Sequence, residues 1–135
     1  MSKRLMLSEI IEKAEAMSSS DAVEFLRQHD SGPLRLILEL NFDKNLKWNL
    51  PEGAPPFKVS EFPEDRLALY REARKLPMFT NRDERSTSIH KIKMEGVYIN
   101  ILESVPKEEA DLLIRLKDGQ IKLKKSIYEK AFGVS

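Results

Sequence analysis

The sequence predicts an all-α protein: a single compact domain of six or seven helices over residues 1–135, with one long, ordered, proline-rich loop. Apolar residues recur at helical spacing along most of the chain, and serine, proline and glycine signals separate these stretches. Only residues 121–123 alternate in the manner of a strand, and they are too few for a sheet. A length of 135 residues is also typical of one domain.

The first three helices are predicted between residues 6 and 40. The first has an amphipathic stripe made of Met6, Leu7, Ile10, Ile11, Ala14 and Met17. A serine cluster at residues 18–20, followed by Asp21, interrupts the helix and caps a second, shorter one. Ser31 is the expected cap of the third helix, because Pro33 suits a first helical turn.

Residues 41–62 are predicted to be a long loop between the helical parts, because proline neither continues a helix nor donates to a sheet. We expect the loop to be ordered, with Trp48 at least half buried over Leu50, since ordering so many residues requires large apolar anchors. Either these side chains only attach the loop to the helices, or the loop also binds a partner. The candidate binding residues are Trp48, Pro51, Pro55, Pro56 and Phe57.

Helix is predicted to resume after residues 62–65 and to continue to Pro77. The next helix has an apolar face formed by Ile89, Ile92, Val97, Ile101, Leu102 and Val105. Gly96 within it predicts a close approach of a neighbouring backbone, which would compensate for its low helix propensity. A further helix is expected between Pro106 and Gly119, and Ser126 with Glu129 predicts a capping box for the last one.

The charges are unevenly distributed although the net charge is only +1. Residues 1–67 carry a net charge of −3 and residues 68–135 carry +4. The bias is strongest in residues 115–130, where six basic residues accompany two acidic ones. Lys122, Lys124 and Lys125 are therefore candidate contacts for phosphates or an acidic partner, although a solvated lysine-rich surface is the more ordinary interpretation.

The sequence offers little for catalysis. It contains no cysteine, which excludes disulfides, thiolate metal sites and cysteine nucleophiles. His29 and His90 lie in no metal or catalytic motif, and the acids Glu108, Glu109 and Asp111 suit the positive end of a helix. No glycine-rich phosphate loop is present, and no apolar run approaches the ~20 residues that span a bilayer. We therefore expect no enzyme, catalytic residue, cofactor, metal or membrane partner.

Several segments, in this order along the chain, resemble a family of small uncharacterised proteins of tailed bacteriophages, notably T4-like phages of marine cyanobacteria. The most specific are residues 46–57, with the loop sequence Trp-Asn-Leu-Pro-Glu-Gly, and residues 101–110, which contain Pro106. The chain departs from the family pattern near residues 80–95 and after Phe132. The resemblance implies a phage origin, and it assigns no activity to any residue.

These observations together predict a phage accessory protein of unknown activity. We expect it to be a non-enzymatic interaction module that binds a host or phage protein in the host cytoplasm during infection. A nucleic-acid-associated factor that uses the basic C-terminal third is the first alternative. A structural component of the virion is the second.

Overall fold

The computed structural model describes residues 4–59, 66–83 and 91–133, and within them it confirms an all-α domain without strands. Seven α-helices and one 3₁₀ helix are present in these ranges. The α-helices are α1 (Leu7–Glu15), α2 (Ser19–Gln28), α3 (Gly32–Phe42), α4 (Leu69–Glu72), α5 (Lys91–Ser104), α6 (Lys107–Lys117) and α7 (Lys125–Phe132). The 3₁₀ helix, Ala73–Phe79, follows α4 directly.

The helices enclose one apolar core. α1 packs against α2 and α6, and α2 also packs against α7. α3 contacts α4, the 3₁₀ helix, α6 and α7, while α5 lies against α6. The amphipathic stripe predicted for α1 is confirmed, since Leu7, Ile10, Ile11 and Ala14 are all buried. This packing places α5 and the end of α6 beneath the long loop.

Helix termini near the N-terminal end follow the capping signals of the sequence. Ser18 Oγ accepts a hydrogen bond from the N–H of Asp21, and Ser31 Oγ accepts one from the N–H of Leu34. Pro33 lies in the first turn of α3, as predicted. Gly119 follows the end of α6 with a φ of +68°, a left-handed conformation that suits a helix C-terminus.

Two other termini are capped by residues about a hundred positions away in the sequence. The buried carboxylate of Glu109 accepts hydrogen bonds from the backbone N–H groups of Leu7 (3.1 Å) and Ser8 (2.7 Å) at the start of α1. At the end of α7, the guanidinium of Arg27 donates to the carbonyl oxygens of Ala131 (3.1 Å) and Lys130 (2.7 Å). Each charge has the sign that the helix dipole favours at that end.

Some boundaries predicted from the sequence are wrong. The loop does not begin at Asn41, because α3 continues through Asn41 to Phe42. The helix predicted to continue to Pro77 is not a single α-helix, because α4 ends at Glu72 and a 3₁₀ helix follows. Pro77, which lacks an N–H, lies within this 3₁₀ helix. The expected helix start at residues 62–65, the last part of the predicted loop, and His90 lie outside the described residues.

The helices near the C-terminal end also depart from prediction. Ile92 is exposed, whereas Met94, Tyr98 and Leu102 form the buried stripe of α5 with Ile101. A Cβ atom added at Gly96 would meet nothing within 4 Å, so the predicted close approach is wrong. The capping box at Ser126 is also wrong, because α7 begins at Lys125, two residues before the start that a cap at Ser126 implies, and Lys124 precedes it without a side-chain cap.

Candidate binding pocket under the proline-rich loop

The first part of the loop is attached to residues 79–81 through the backbone. Trp48 and Thr80 form an isolated antiparallel bridge. The N–H of Asn49 donates to the carbonyl of Phe79 (2.7 Å), and the N–H of Asn81 donates to the carbonyl of Lys47 (2.9 Å). This pairing fixes the loop backbone immediately before its prolines.

Apolar side chains attach the loop to the core as well. Trp48, Leu50 and Phe57 are partly buried and pack against the core. The prediction that Trp48 is at least half buried is therefore confirmed, whereas the position of Leu50 beneath it stays a prediction. Beyond the prolines, the N–H of Lys58 donates to a carboxylate oxygen of Glu103 on α5 (2.7 Å), so the described loop is held at both ends.

The middle of the loop is held by a charged pair at the end of α6. The Lys117 ammonium donates to the backbone carbonyl oxygens of Pro51 (2.8 Å) and Gly53 (2.9 Å) and to Oδ1 of Asp118 (2.7 Å). Asp118 in turn accepts the N–H of Gly53 at 3.2 Å. Gly53 has a φ of +86°, which only glycine adopts without strain. This residue therefore forms the turn to which both Lys117 and Asp118 are hydrogen-bonded.

The Lys117–Asp118 pair is largely shielded from water. Its side chains are only 2% and 7% exposed. Burial acts to raise the pKa of Asp118, but hydrogen bonds from Lys117 and Gly53 and the Lys117 charge outweigh it and leave that pKa below its ordinary value. The carboxylate therefore stays ionised and continues to accept the hydrogen bond from the N–H of Gly53.

Between the loop and α5 lies a pocket of about 210 Å³. Its outer wall is residues 50–56, and its other lining residues are Glu95 and Tyr98 of α5 and Lys117 of α6. Glu95 and Tyr98 are three residues apart on α5 and thus share one helix face. The loop side of the pocket is mostly apolar but includes Glu52, and the helix side carries the polar residues Glu95, Tyr98 and Lys117.

Tyr98 is the most unusual residue of this pocket. It is 1% exposed, and its ring packs edge-on against Phe79 with centroids 5.5 Å apart. Its hydroxyl has no hydrogen-bond partner among the described residues. Burial, and secondarily the negative charge of Asp118, raise the pKa of Tyr98 well above its ordinary value, so the phenol stays protonated.

The predicted binding residues fall into two groups. Pro51, Pro55 and Pro56 line the pocket, and Pro51 and Pro56 are also exposed on the outer side of the loop. Trp48 and Phe57 do not line it and act instead as anchors of the loop. Lys122, Lys124 and Lys125 are exposed on another part of the surface, so the structure does not bring them together with the prolines.

Two of the six basic residues in the stretch 115–130, Arg115 and Lys117, pair with other groups of the protein. Arg115 pairs with Glu15 at 2.8 Å, and Glu15 also accepts the N–H of Lys122 at 2.7 Å. Lys117 is buried under the loop. The basic surface is therefore smaller than the sequence indicates.

Sequence reasoning missed Glu95, Tyr98, Lys117 and Asp118, although one signal was available. Lys117 lies four residues after Leu113 and seven after Ala110, and therefore on the buried stripe of α6. Tyr98 occupies the equivalent position between Met94 and Leu102 on α5. A polar group on an apolar stripe is costly to bury unpaired, so such a position indicates a partner within the fold, as Lys117 has in Pro51, Gly53 and Asp118.

Within residues 4–59, 66–83 and 91–133, no three histidine or acidic side chains come close enough together to hold a metal ion. No described helix is long and apolar enough to cross a membrane.

The fold and the pocket define a small all-helical protein in which a proline-rich loop is fixed over a cavity. The model of a family described as a family of unknown function (DUF6433) matches residues 9–123, so the chain belongs to that family. The match includes the loop and all the pocket residues. No curated protein and no solved structure is significantly similar to this chain.

Proposed function

We propose that this protein is a non-enzymatic interaction module that binds a partner protein through the outer side of residues 51–56. The observation that carries the proposal is the pair of hydrogen bonds from the Lys117 ammonium to the carbonyl oxygens of Pro51 and Gly53. These hydrogen bonds hold the loop backbone in place, while the side chains of Pro51, Glu52, Ala54 and Pro56 remain exposed.

A fixed loop favours binding because little conformational entropy is lost when a partner docks. Ordering one backbone residue costs about 1–2 kcal/mol, and the fold has already ordered these residues through their hydrogen bonds to Lys117 and Asp118. The resemblance to phage proteins favours a host or phage protein as the partner, bound in the host cytoplasm during infection.

The proposal is tested by blocking the exposed surface without altering its support. We expect Ala54→Arg to reduce capture of the partner from phage-infected cells by about tenfold or more, because a large charge at the centre of an interface prevents close contact. The matched control is Ala16→Arg, which places the same side chain at the exposed end of α1. Equal capture by the two variants and the unchanged protein would show that residues 51–56 are not the binding surface.

A second candidate function, nucleic-acid binding, is favoured by one observation. Ile121 and Leu123 are buried while Lys122 and Lys124 are exposed, so the two lysines project from the same side of the chain towards solvent, and exposed Lys125 follows. Such a group can neutralise neighbouring phosphates.

If these lysines contact phosphates, replacing Lys122, Lys124 and Lys125 with glutamine should weaken binding to DNA or RNA. The slope of log affinity against log salt should fall by about two to three, since each lost phosphate contact contributes about 0.7–0.9. Replacing exposed Lys13, Lys93 and Lys107 instead changes the net charge equally and should leave the slope nearly unaltered. Retention of no nucleic acid by the unchanged protein at low salt would exclude this function.

A further inference from the structure

The pocket under residues 50–56 has room for one side chain of a partner. A cavity of about 150 Å³ accommodates benzene, whereas small-molecule sites commonly occupy about 300–1,000 Å³. The volume here, about 210 Å³, lies between these values. Its lining includes the exposed residues Glu52 and Ala54 as well as buried ones, so the pocket opens to the surface. It therefore suits one side chain that approaches from outside, and it is too small for a typical cofactor.

The loop supplies an apolar wall for such a side chain. Leu50, Ala54 and three prolines line the pocket on this side. Residues 49–57 contain a single charged residue, Glu52. The methylene groups of long basic side chains cover apolar surfaces of this kind while their charged ends stay in contact with water. The wall by itself would accept any apolar group, so the charges around it determine which kind of side chain fits best.

Two carboxylates give the pocket an unbalanced negative charge. Glu52 of the loop and Glu95 of α5 both line it, and neither has a hydrogen-bond or ion-pair partner among the described residues. The third charged lining residue, Lys117, is neutralised by Asp118 at 2.7 Å. All three N–H donors of this ammonium are already used within the fold, so it is not available to an anion. The pocket therefore repels an anionic group and attracts a cation.

Both carboxylates lie where an incoming group can reach them. Glu52 is exposed and Glu95 is half-buried, so a cation can pair with them without entering the core. A cation at such a position keeps part of its hydration and avoids the large desolvation cost of a buried ion. A neutral group would gain only the contacts with the wall. The pocket therefore favours a long side chain with an apolar stem and a positively charged end.

We propose that this pocket receives a basic side chain, lysine or arginine, of the partner protein. Its methylene groups lie against Leu50 and the prolines, and its cationic end pairs with Glu52 and Glu95. This inference rests on the proposed interaction function and names the chemistry of the residue that anchors the partner. The exposed outer side of residues 51–56 then forms the surrounding rim, in the manner of an interface hot spot.

The chemistry of the pocket can be tested without the partner by titrating the full chain with n-butylammonium, which is the side chain of lysine, and with 1-butanol, which has the same alkyl chain without the charge. We expect n-butylammonium to shift the NMR signals of residues 50–56 and to bind about three- to tenfold more tightly than 1-butanol at low salt. Replacing Glu52 and Glu95 together with glutamine should abolish this preference. Replacing Glu24 and Glu108 together with glutamine removes two exposed carboxylates outside the pocket and should preserve it. Equal binding of the two probes, no binding of n-butylammonium, or an equal loss of preference in both double variants would overturn the inference.

The source of the cation is tested with the partner itself. The double variant Glu52→Gln with Glu95→Gln should weaken partner capture by about three- to tenfold, and n-butylammonium should compete with capture by the unchanged protein more strongly than 1-butanol does. Partner capture that is insensitive to both changes would overturn the assignment of the basic side chain to the partner. A failure of the proposed function is distinguishable, because it would appear as equal capture by the Ala54→Arg and Ala16→Arg variants. A failure of this inference alone would leave Ala54→Arg defective and the glutamine variant unaffected.

Discussion

Replacing Lys117 with methionine is expected to lower the free energy of unfolding by about 3 kcal/mol, the lower part of the range for breaking a buried ion pair. Methionine fills a similar volume, but it leaves Asp118 and the carbonyl oxygens of Pro51 and Gly53 without their ammonium donor. Denaturant unfolding measures the loss. Lys107→Met, at an exposed position on the same helix, is the matched control and should change stability by less than about 0.5 kcal/mol.

The Lys117 variant should also have a local effect on the loop. The N–H of Gly53 is bonded to Asp118 and should exchange slowly with solvent in the unchanged protein. We expect it to exchange much faster in the Lys117→Met variant, even under conditions in which most of the chain stays folded. A protected Gly53 N–H together with unaltered stability would mean that Lys117 does not hold the loop.

Replacing Glu109 with alanine should cost about 3 kcal/mol as well. The substitution leaves the buried N–H groups of Leu7 and Ser8 without an acceptor, and each unpaired buried donor costs about 1–3 kcal/mol. Thermal or denaturant unfolding gives the measurement. Glu108→Ala is the control, because Glu108 is exposed in the same turn of α6, and a similar loss in both variants would exclude the proposed cap.

Glu109 also makes the protein less stable as the pH rises, because its pKa is higher in the folded state than in the unfolded chain. Burial raises the pKa of Glu109 above its ordinary value of 4.5, and the hydrogen bonds from Ser8 and Leu7 offset this only in part. The folded protein therefore holds this proton more tightly than the unfolded chain does. Relative to the Glu109→Gln variant, the unchanged protein should lose stability as pH rises from about 4.5 through the raised pKa, and the difference should then level off.

The helices were predictable from the sequence because burial of an apolar stripe has a period that can be counted. Ser18 and Ser31 were predictable as caps because each bonds to an N–H only three residues away. Local information of this kind also explains why Gly119 was expected to end α6. The errors at Gly96 and Ser126 came from the same local rules, which state a preference and contain no information about neighbouring helices.

The pocket was not predictable because its parts are distant in sequence. Lys117 and the carbonyl of Pro51 are 66 residues apart, and the pairing follows from how α6 packs beneath the loop. The candidates Trp48 and Pro51 were found through composition, whereas Tyr98 was overlooked because it was outside the apolar face assigned to α5. A phenol on a buried stripe is recognised as unusual only when the fold shows that its hydroxyl is buried without a hydrogen-bond partner among the described residues.

The caps supplied from distant parts of the chain have a consequence for biosynthesis. Glu109 caps the start of α1 across 102 residues, and Arg27 caps α7 across 104. During translation α1 is therefore complete long before its cap Glu109 exists, and the part of its apolar side that packs against α6 is covered only after α6 has been made, whereas Arg27 is present long before α7. Contacts so far apart in sequence slow folding, because much of the chain must be ordered before they can form. The nascent protein should accordingly depend on chaperones, or remain open to proteases, until nearly its last helix has been synthesised.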